Sequence, residues 1–376
     1  MGMIVFLVVI FALVAGAIIY MSGRYALFFP SVPRKVWMWS FVALFAVAFV
    51  CMTAFATIAN PLAKAVFIAG GIGISLFLFS LLSVMFVDLL HLVFHFSPFV
   101  RRGLSIGLGL LLTSYGIWNA YTIRVKEITI PLNGLTREIR AVHITDVHLG
   151  NFRGKGEVDK IVGKIKEINP DVVFNTGDMF DSKAHFGKDN DVLAAFRTLG
   201  MPHYFVYGNH DQHVGTEEVI RQMRGANATV LLNEVAYFGE LQIIGLNNML
   251  ADRHSFDIHT AEDPETIEEV LNGLVISKDY PTIVLHHRPD GVEYMQRKDV
   301  ELLLAGHTHA GQVFPFIFIA KLMFGYNRGL YRYETMNIYV SEGSGTIFVP
   351  VRLGTRSEMS LIKLIPASKK ENARRY

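Results

Sequence analysis

The first third of this 376-residue chain holds four long stretches without a charged side chain. They run from Met3 to Met21, Val36 to Thr57, Ala65 to Val87 and Gly103 to Ile123. Each is near or above the roughly 17–25 residues that cross a bilayer as a helix. Hydrocarbon offers no partner for open backbone, so helices are the solution for such segments. The sequence therefore predicts a transmembrane region of four helices over residues 1–121 and a second domain over 122–376. The first stretch lacks a basic leader and a second follows after a short loop, so a retained helix is expected rather than a signal peptide. Arg24, Arg34 and Lys35 follow the first stretch, and Arg101 and Arg102 follow the third. The positive-inside bias puts those loops in the cytoplasm. Four spans then give a multi-pass protein of the cell membrane with its second domain extracytoplasmic.

The net charge of +2 is no nucleic-acid signature. Cys51 is the only cysteine and lies in the second stretch, which excludes an internal disulfide and Cys-ligated zinc.

After residue 122 apolar runs alternate with helical periodicity. Ile139–Ile144, Asp171–Asn175 and His203–Tyr207 read as strands, and 156–168, 192–199 and 216–223 as helices. Shorter strands are expected at 229–232, 235–238, 241–246, 282–285, 300–305, 337–340, 346–349 and 359–365, with a helix over 262–272. Strand–helix alternation followed by short strands suggests an α/β unit packed on further β structure.

Five polar motifs end apolar runs in this domain. They are Asp146-Val147-His148, Gly177-Asp178-Met179-Phe180-Asp181, Gly208-Asn209-His210-Asp211, His286-His287 and Gly306-His307-Thr308-His309. Strand ends are where α/β sheets bind ligands. Asp and His without Cys suit manganese, iron or zinc, with manganese favoured. Alternation along an extended segment would put Asp146 and His148 on one face, and likewise His307 and His309. Two cations about 3.5–4 Å apart would share a water and lower its pKa towards neutrality.

Together the motifs resemble those of the calcineurin-like metallophosphoesterases over about residues 137–365. Gly306–Gln312, with Phe314-Pro315 close behind, is similar to a membrane-associated branch that includes enzymes of nucleotide-linked or lipid-linked diphosphates. The resemblance implies an α/β/β/α sandwich and two divalent metal ions. It implies that Asp146, His148 and His309 bind one metal, that Asp178 bridges, and that Asn209, His287 and His307 bind the other. His287 stands two residues before Pro289 as the family's histidine does, with His286 the alternative. His210 is implied as electrophile or general acid, oriented by Asp181.

The expected activity is hydrolysis of a phosphate ester or diphosphate by a metal-bridging hydroxide, as a phosphodiesterase or a pyrophosphatase. The expected substrate is lipid-linked, from placement beside the membrane. The alternative is a non-catalytic, metal-stabilised ligand-binding or sensor domain on a membrane anchor. Beyond the motifs, Asp88, His91 and His95 share a helical face and read as a helix end at the headgroups rather than an ion site. His254, Asp257 and His259 could touch substrate, but read as solvated loop residues, while His185 and His213 lie near motif residues and could contact phosphate. Arg288 and Arg352 read as ion-pair partners, with phosphate clamps as the alternative. Phe314–Phe324 reads either as core strand or as an apolar lip that admits lipid.

Overall fold

The computed structural model describes residues 2–54, 60–183, 186, 191–255 and 263–367. His185, Asp257 and His259 lie outside them. The chain divides into two compact units, Met1–Trp118 with Ile347–Val351, and Asn119–Thr346 with Arg352–Tyr376.

The first unit contains α1 (Gly2–Phe28), α2 (Arg34–Ala54), α3 (Pro61–Phe94) and most of α4 (Pro98–Tyr121). Asn60 caps α3 by accepting from the Ala63 amide, and Pro61 supplies a first-turn φ already suited to a helix. Ile18, Met21 and Phe28 of α1 bury against Phe77 and Val84 of α3. Among the described residues, three segments are long and apolar enough to cross a membrane: Phe11–Phe28, Arg34–Ala54 and Pro61–Phe94. This corrects the expectation of four. The fourth stretch folds as helix α4, but Arg101, Arg102, Ser105, Thr113, Ser114 and Asn119 dilute its apolar character.

Asp88 is not part of an ion site with His91 and His95. Tyr20 donates to its carboxylate at 2.5 Å. The Arg24 Nε lies 2.6 Å away, and Arg101 pairs with the second oxygen. His95 instead ends α3 in the left-handed conformation.

The second unit holds two six-stranded sheets. The first contains β1 (Arg124–Leu132), β12 (Glu358–Pro366), β2 (Ile139–Ile144), β3 (Val172–Asn175), β4 (His203–Phe205) and β5 (Thr229–Val230), in that order. β2 to β5 run parallel, and β12 is antiparallel to β2. The second has the order β10 (Gly329–Tyr333), β11 (Met336–Val340), β9 (Leu302–Ala305), β8 (Thr282–Leu285), β7 (Leu241–Gly245) and β6 (Glu234–Phe238). Its four central strands are parallel. These strands are near-continuous Val, Ile and Leu because both faces are covered. Ile139, Phe174, Ile283, Leu304 and Ile362 fill the layer between the sheets. On the outer face of the first sheet lie α5 (Lys155–Ile168), which buries Val158, Ile161, Val162 and Ile165, and α6 (Asn209–Gly225), which buries Val219 and Met223. α7 (Ile267–Gly273) and α8 (Val292–Gln296) cover the second sheet through Ile267, Leu271 and Met295.

Some local expectations change. Residues 192–199 supply only a 3-10 turn at Ala194–Thr198. The stretch 346–349 forms no strand. Phe314–Phe324 is not a core strand, because Phe316–Met323 forms helix α9.

Candidate metal centre

The motifs follow the C-terminal ends of β2, β3, β4, β8 and β9. Backbone pairing zips neighbouring loops together. The Asp146 amide donates to Gly177 O at 2.9 Å, and the His148 amide to Asp178 O at 3.0 Å. Gly306 N donates to His287 O at 2.9 Å.

Convergence does not come from strand alternation, as expected from the Asp-x-His spacing. Asp146, His148, Asp178, His307 and His309 all have positive φ, between 47° and 73°. Left-handed backbone is uncommon for such residues and costs energy, so the surrounding loops hold these torsions in place. Two glycines make room. A Cβ on Gly208 would lie 2.1 Å from Asp178 Oδ1, and one on Gly306 would lie 2.2 Å from Asp146 Oδ2. Glycine is required where backbone approaches a ligand so closely.

Among the described residues three overlapping groups of donors result, in each of which the ligand atoms lie within 4.8 Å of one another. They are Asp146, His148 and His309; Asp146, Asp178 and His287; and His148, Asp181 and His210. Asp146, His148, Asp178, His287 and His309 are buried. His148 Nε2 and His309 Nε2 stand 2.9 Å apart, a separation that needs a proton or a cation between them. The His287 Nδ1 bonds the Thr176 carbonyl at 2.7 Å. That contact makes Nδ1 the donor and turns Nε2 inward, 3.1 Å from Asp178 Oδ2, where the neutral ring would offer its lone pair to a cation. His307 Nδ1 lies 2.9 Å from Asn209 Oδ1. These donors fit two divalent cations. His286 does not join them: no donor group includes it, and its Nδ1 is engaged with Arg288 O.

The charges are uneven. Burial pushes the Asp146 carboxyl up. Burial also opposes ionisation of Asp178, yet His287, His210 and His148 hold it well below the usual range. Burial works against a charged His287, but Asp178 and Asp146 raise it to about 9. His210 follows the same pattern, with Asp178 and Asp181 raising it to about 9 against burial. Its Nδ1 lies 2.7 Å from Asp181 Oδ1, and its amide donates to Asp178 Oδ1 at 2.8 Å.

Two supports were not anticipated. Asp211, fully buried, accepts from the amides of Phe180 at 2.9 Å and Gly208 at 3.1 Å, tying the second motif to the third. The last letter of GNHD was the available signal. Arg352 is also buried, so it is no phosphate clamp. It donates to the carbonyls of Glu342 at 2.6 Å and Gly345 at 2.8 Å, and reaches His309 Nδ1 at 3.1 Å. Arg288 pairs with Asp290, as an ion-pair reading requires.

α9 adjoins the centre. Phe316, Phe318, Ile319, Leu322 and Met323 are exposed, Leu322 by 88%. A Cβ on Gly311 would lie 2.7 Å from the Ile317 Cα, so the helix packs directly on the loop that carries His309. The Phe324 ring meets the His307 ring edge-on at 5.6 Å.

Residues 139–311 match the family profile described as calcineurin-like phosphoesterase. A Helicobacter pylori relative named as an uncharacterised metallophosphoesterase is 32% identical over 276 residues, 71% of this chain and 72% of its own length. A Danio rerio protein named transmembrane protein with metallophosphoesterase domain is 31% identical over 71% of this chain and 63% of its own. Phosphodiesterase YaeI of Escherichia coli is 26% identical over 60% of this chain and 82% of its own. With these motifs, this ligand geometry and these relatives, the chain belongs to the calcineurin-like phosphoesterase family.

Proposed function

We propose that the protein is a membrane-anchored phosphoesterase that hydrolyses a lipid-linked phosphate ester or diphosphate with two divalent cations, manganese favoured. The supporting observation is the pair of buried donor groups that share Asp146. Asp146, His148 and His309 would hold one cation. Asn209, His287 and His307 would hold the other, with Asp178 between them. Two cations so held supply an activated water and neutralise the phosphoryl oxygens. In the metal-free protein Asp178 and Asp181 favour the charged His210 ring against burial. Asp181 holds His210 Nδ1, which leaves Nε2 to donate to a phosphoryl or leaving-group oxygen. The exposed apolar face of α9 beside His307 supports a lipid portion in the substrate.

The domain is proposed to lie outside the cytoplasm, a placement that the Lys and Arg distribution gives only with α4 crossing as a fourth, less apolar helix. Its side can be tested with an impermeant maleimide on intact cells carrying Cys51→Ser and the exposed Tyr237→Cys. Labelling only after lysis would reverse the assignment. For the reaction, purified protein is assayed with bis-p-nitrophenyl phosphate and manganese. Metal-dependent release that disappears in Asp178→Asn is expected. Metal retention with no turnover would instead favour a ligand-binding domain.

A further inference from the structure

The helical unit contains a polar cluster that the hydrolytic reading does not use. Asp88 takes Tyr20, Arg24 and Arg101 together. Two guanidinium groups on one carboxylate leave a surplus positive charge. The Arg101 Nε is buried and has no hydrogen-bond partner. The Arg24 side chain keeps 32% of its surface exposed. Arg34 and Arg102 lie close by, capping the carbonyls of Ile19 at 3.1 Å and Phe28 at 3.2 Å. One end of the unit therefore holds two arginines on a single carboxylate, with Arg34 and Arg102 on backbone carbonyls of α1.

A groove of about 640 Å³ leads away from this cluster between α1 and α3. Ala12, Gly16 and Ala17 form one wall, and Leu81, Met85 and Leu89 the other. The small residues of α1 keep it open, and a Cβ on Gly16 would meet nothing within 4 Å. From Ala12 to Arg24 the helix rises about 18 Å. That is close to one leaflet, roughly half of a 30 Å hydrocarbon core. Arg24 and Asp88 line the polar end of the same groove. A cationic head joined to an apolar slot of leaflet depth matches an amphipathic anion.

We propose that this groove binds one anionic glycerophospholipid, its phosphate on Arg24, with Arg101 adding positive charge behind it through Asp88, and an acyl chain along α1 and α3. A free phosphate would use the arginines but leave the apolar slot without a role. The proposal is independent of the hydrolytic activity.

Native mass spectrometry of the detergent-solubilised full-length protein, given equal phosphatidylglycerol and phosphatidylcholine, tests it. Wild type is expected to retain phosphatidylglycerol preferentially, by roughly fivefold for each arginine engaged. Arg24→Gln should lower that preference about fivefold. Gly16→Leu leaves every charge in place but fills the slot, and should lower retention of both lipids. Equal retention of the two lipids by wild type would overturn the proposal. So would a preference and an overall retention unchanged in both variants.

Discussion

Asp88 in the helical unit and the Asp146–Asp178 pair in the metal domain are shielded carboxylates handled in opposite ways. Asp88 is neutralised by Arg24 and Arg101, cations that never titrate and belong to the chain. Asp146 and Asp178 are surrounded by the rings of His148, His287 and His309. Arginine closes a site, because it competes with any added cation. Histidine leaves one open, because its neutral form is itself a ligand. The same acidic residue is thus structural in one unit and chemically available in the other.

The largest test of this contrast exchanges carboxylate for amide in each place. Asp178→Asn should cost roughly a thousandfold or more in metal-dependent turnover, since groups acting as a unit fail together. Asp88→Asn should leave turnover and manganese stoichiometry as in wild type. Loss of bound manganese in Asp88→Asn, read by metal analysis, would break the distinction.

The second test is pH. Metal needs neutral His287, whose pKa in the metal-free protein is raised to about 9. Manganese affinity should therefore rise with pH below that value, by up to about tenfold per unit for this one proton. Calorimetric titrations between about pH 6.5 and 8.5 would measure it. A flat profile would mean that cations do not displace this proton.

Turnover variants sharpen the acid assignment. His210→Gln should lower kcat about a hundredfold. Asp181→Asn should cost less and move the alkaline limb of the pH profile downward, since Asp181 helps hold the His210 proton. A smaller effect is expected at α9. Phe318→Asp and Leu322→Asp should lower turnover of a lipid phosphodiester about tenfold, as a few apolar contacts would, while sparing bis-p-nitrophenyl phosphate. Equal losses on both substrates would remove the lipid role.

His203 offers the smallest effect and a third way to bury a titratable group. It has no hydrogen-bond partner and stacks on Phe196 at 5.2 Å. Burial lowers its pKa to about 4. Its contribution to stability is present above the unfolded value near 6.5 and is lost as pH falls towards 4. Between pH 7 and 5 the wild type should lose about 2 kcal/mol more than His203→Phe. Denaturant melts of the metal-free protein would report the difference.

The centre was legible where chemistry follows an apolar run. Each motif stands after a strand, and polar residues there have few structural uses. How the side chains converge was not legible, because alternation assumes extended backbone and the chain turns left-handed instead. The sequence also hid β1, whose partner β12 lies more than two hundred residues away. Phe314–Phe324 misled because an all-round apolar run fits a buried strand or a short helix equally. Arg352 resembled a surface cation, and only the carbonyls of Glu342 and Gly345 reveal it as a brace. The fourth apolar stretch falls short of the other three because absence of charge is a weaker criterion than hydropathy.

The left-handed torsions bear on portability. Asp146, His148, Asp178, His307 and His309 hold conformations that short peptides of the same sequence would abandon. Copying the five motifs onto another scaffold would transfer the donors without their directions. A transplant would also need the backbone rungs between loops and the bare glycines that let Asp146 and Asp178 approach. What is heritable here is a frame of interlocked turns, and the motif letters are only its visible corners.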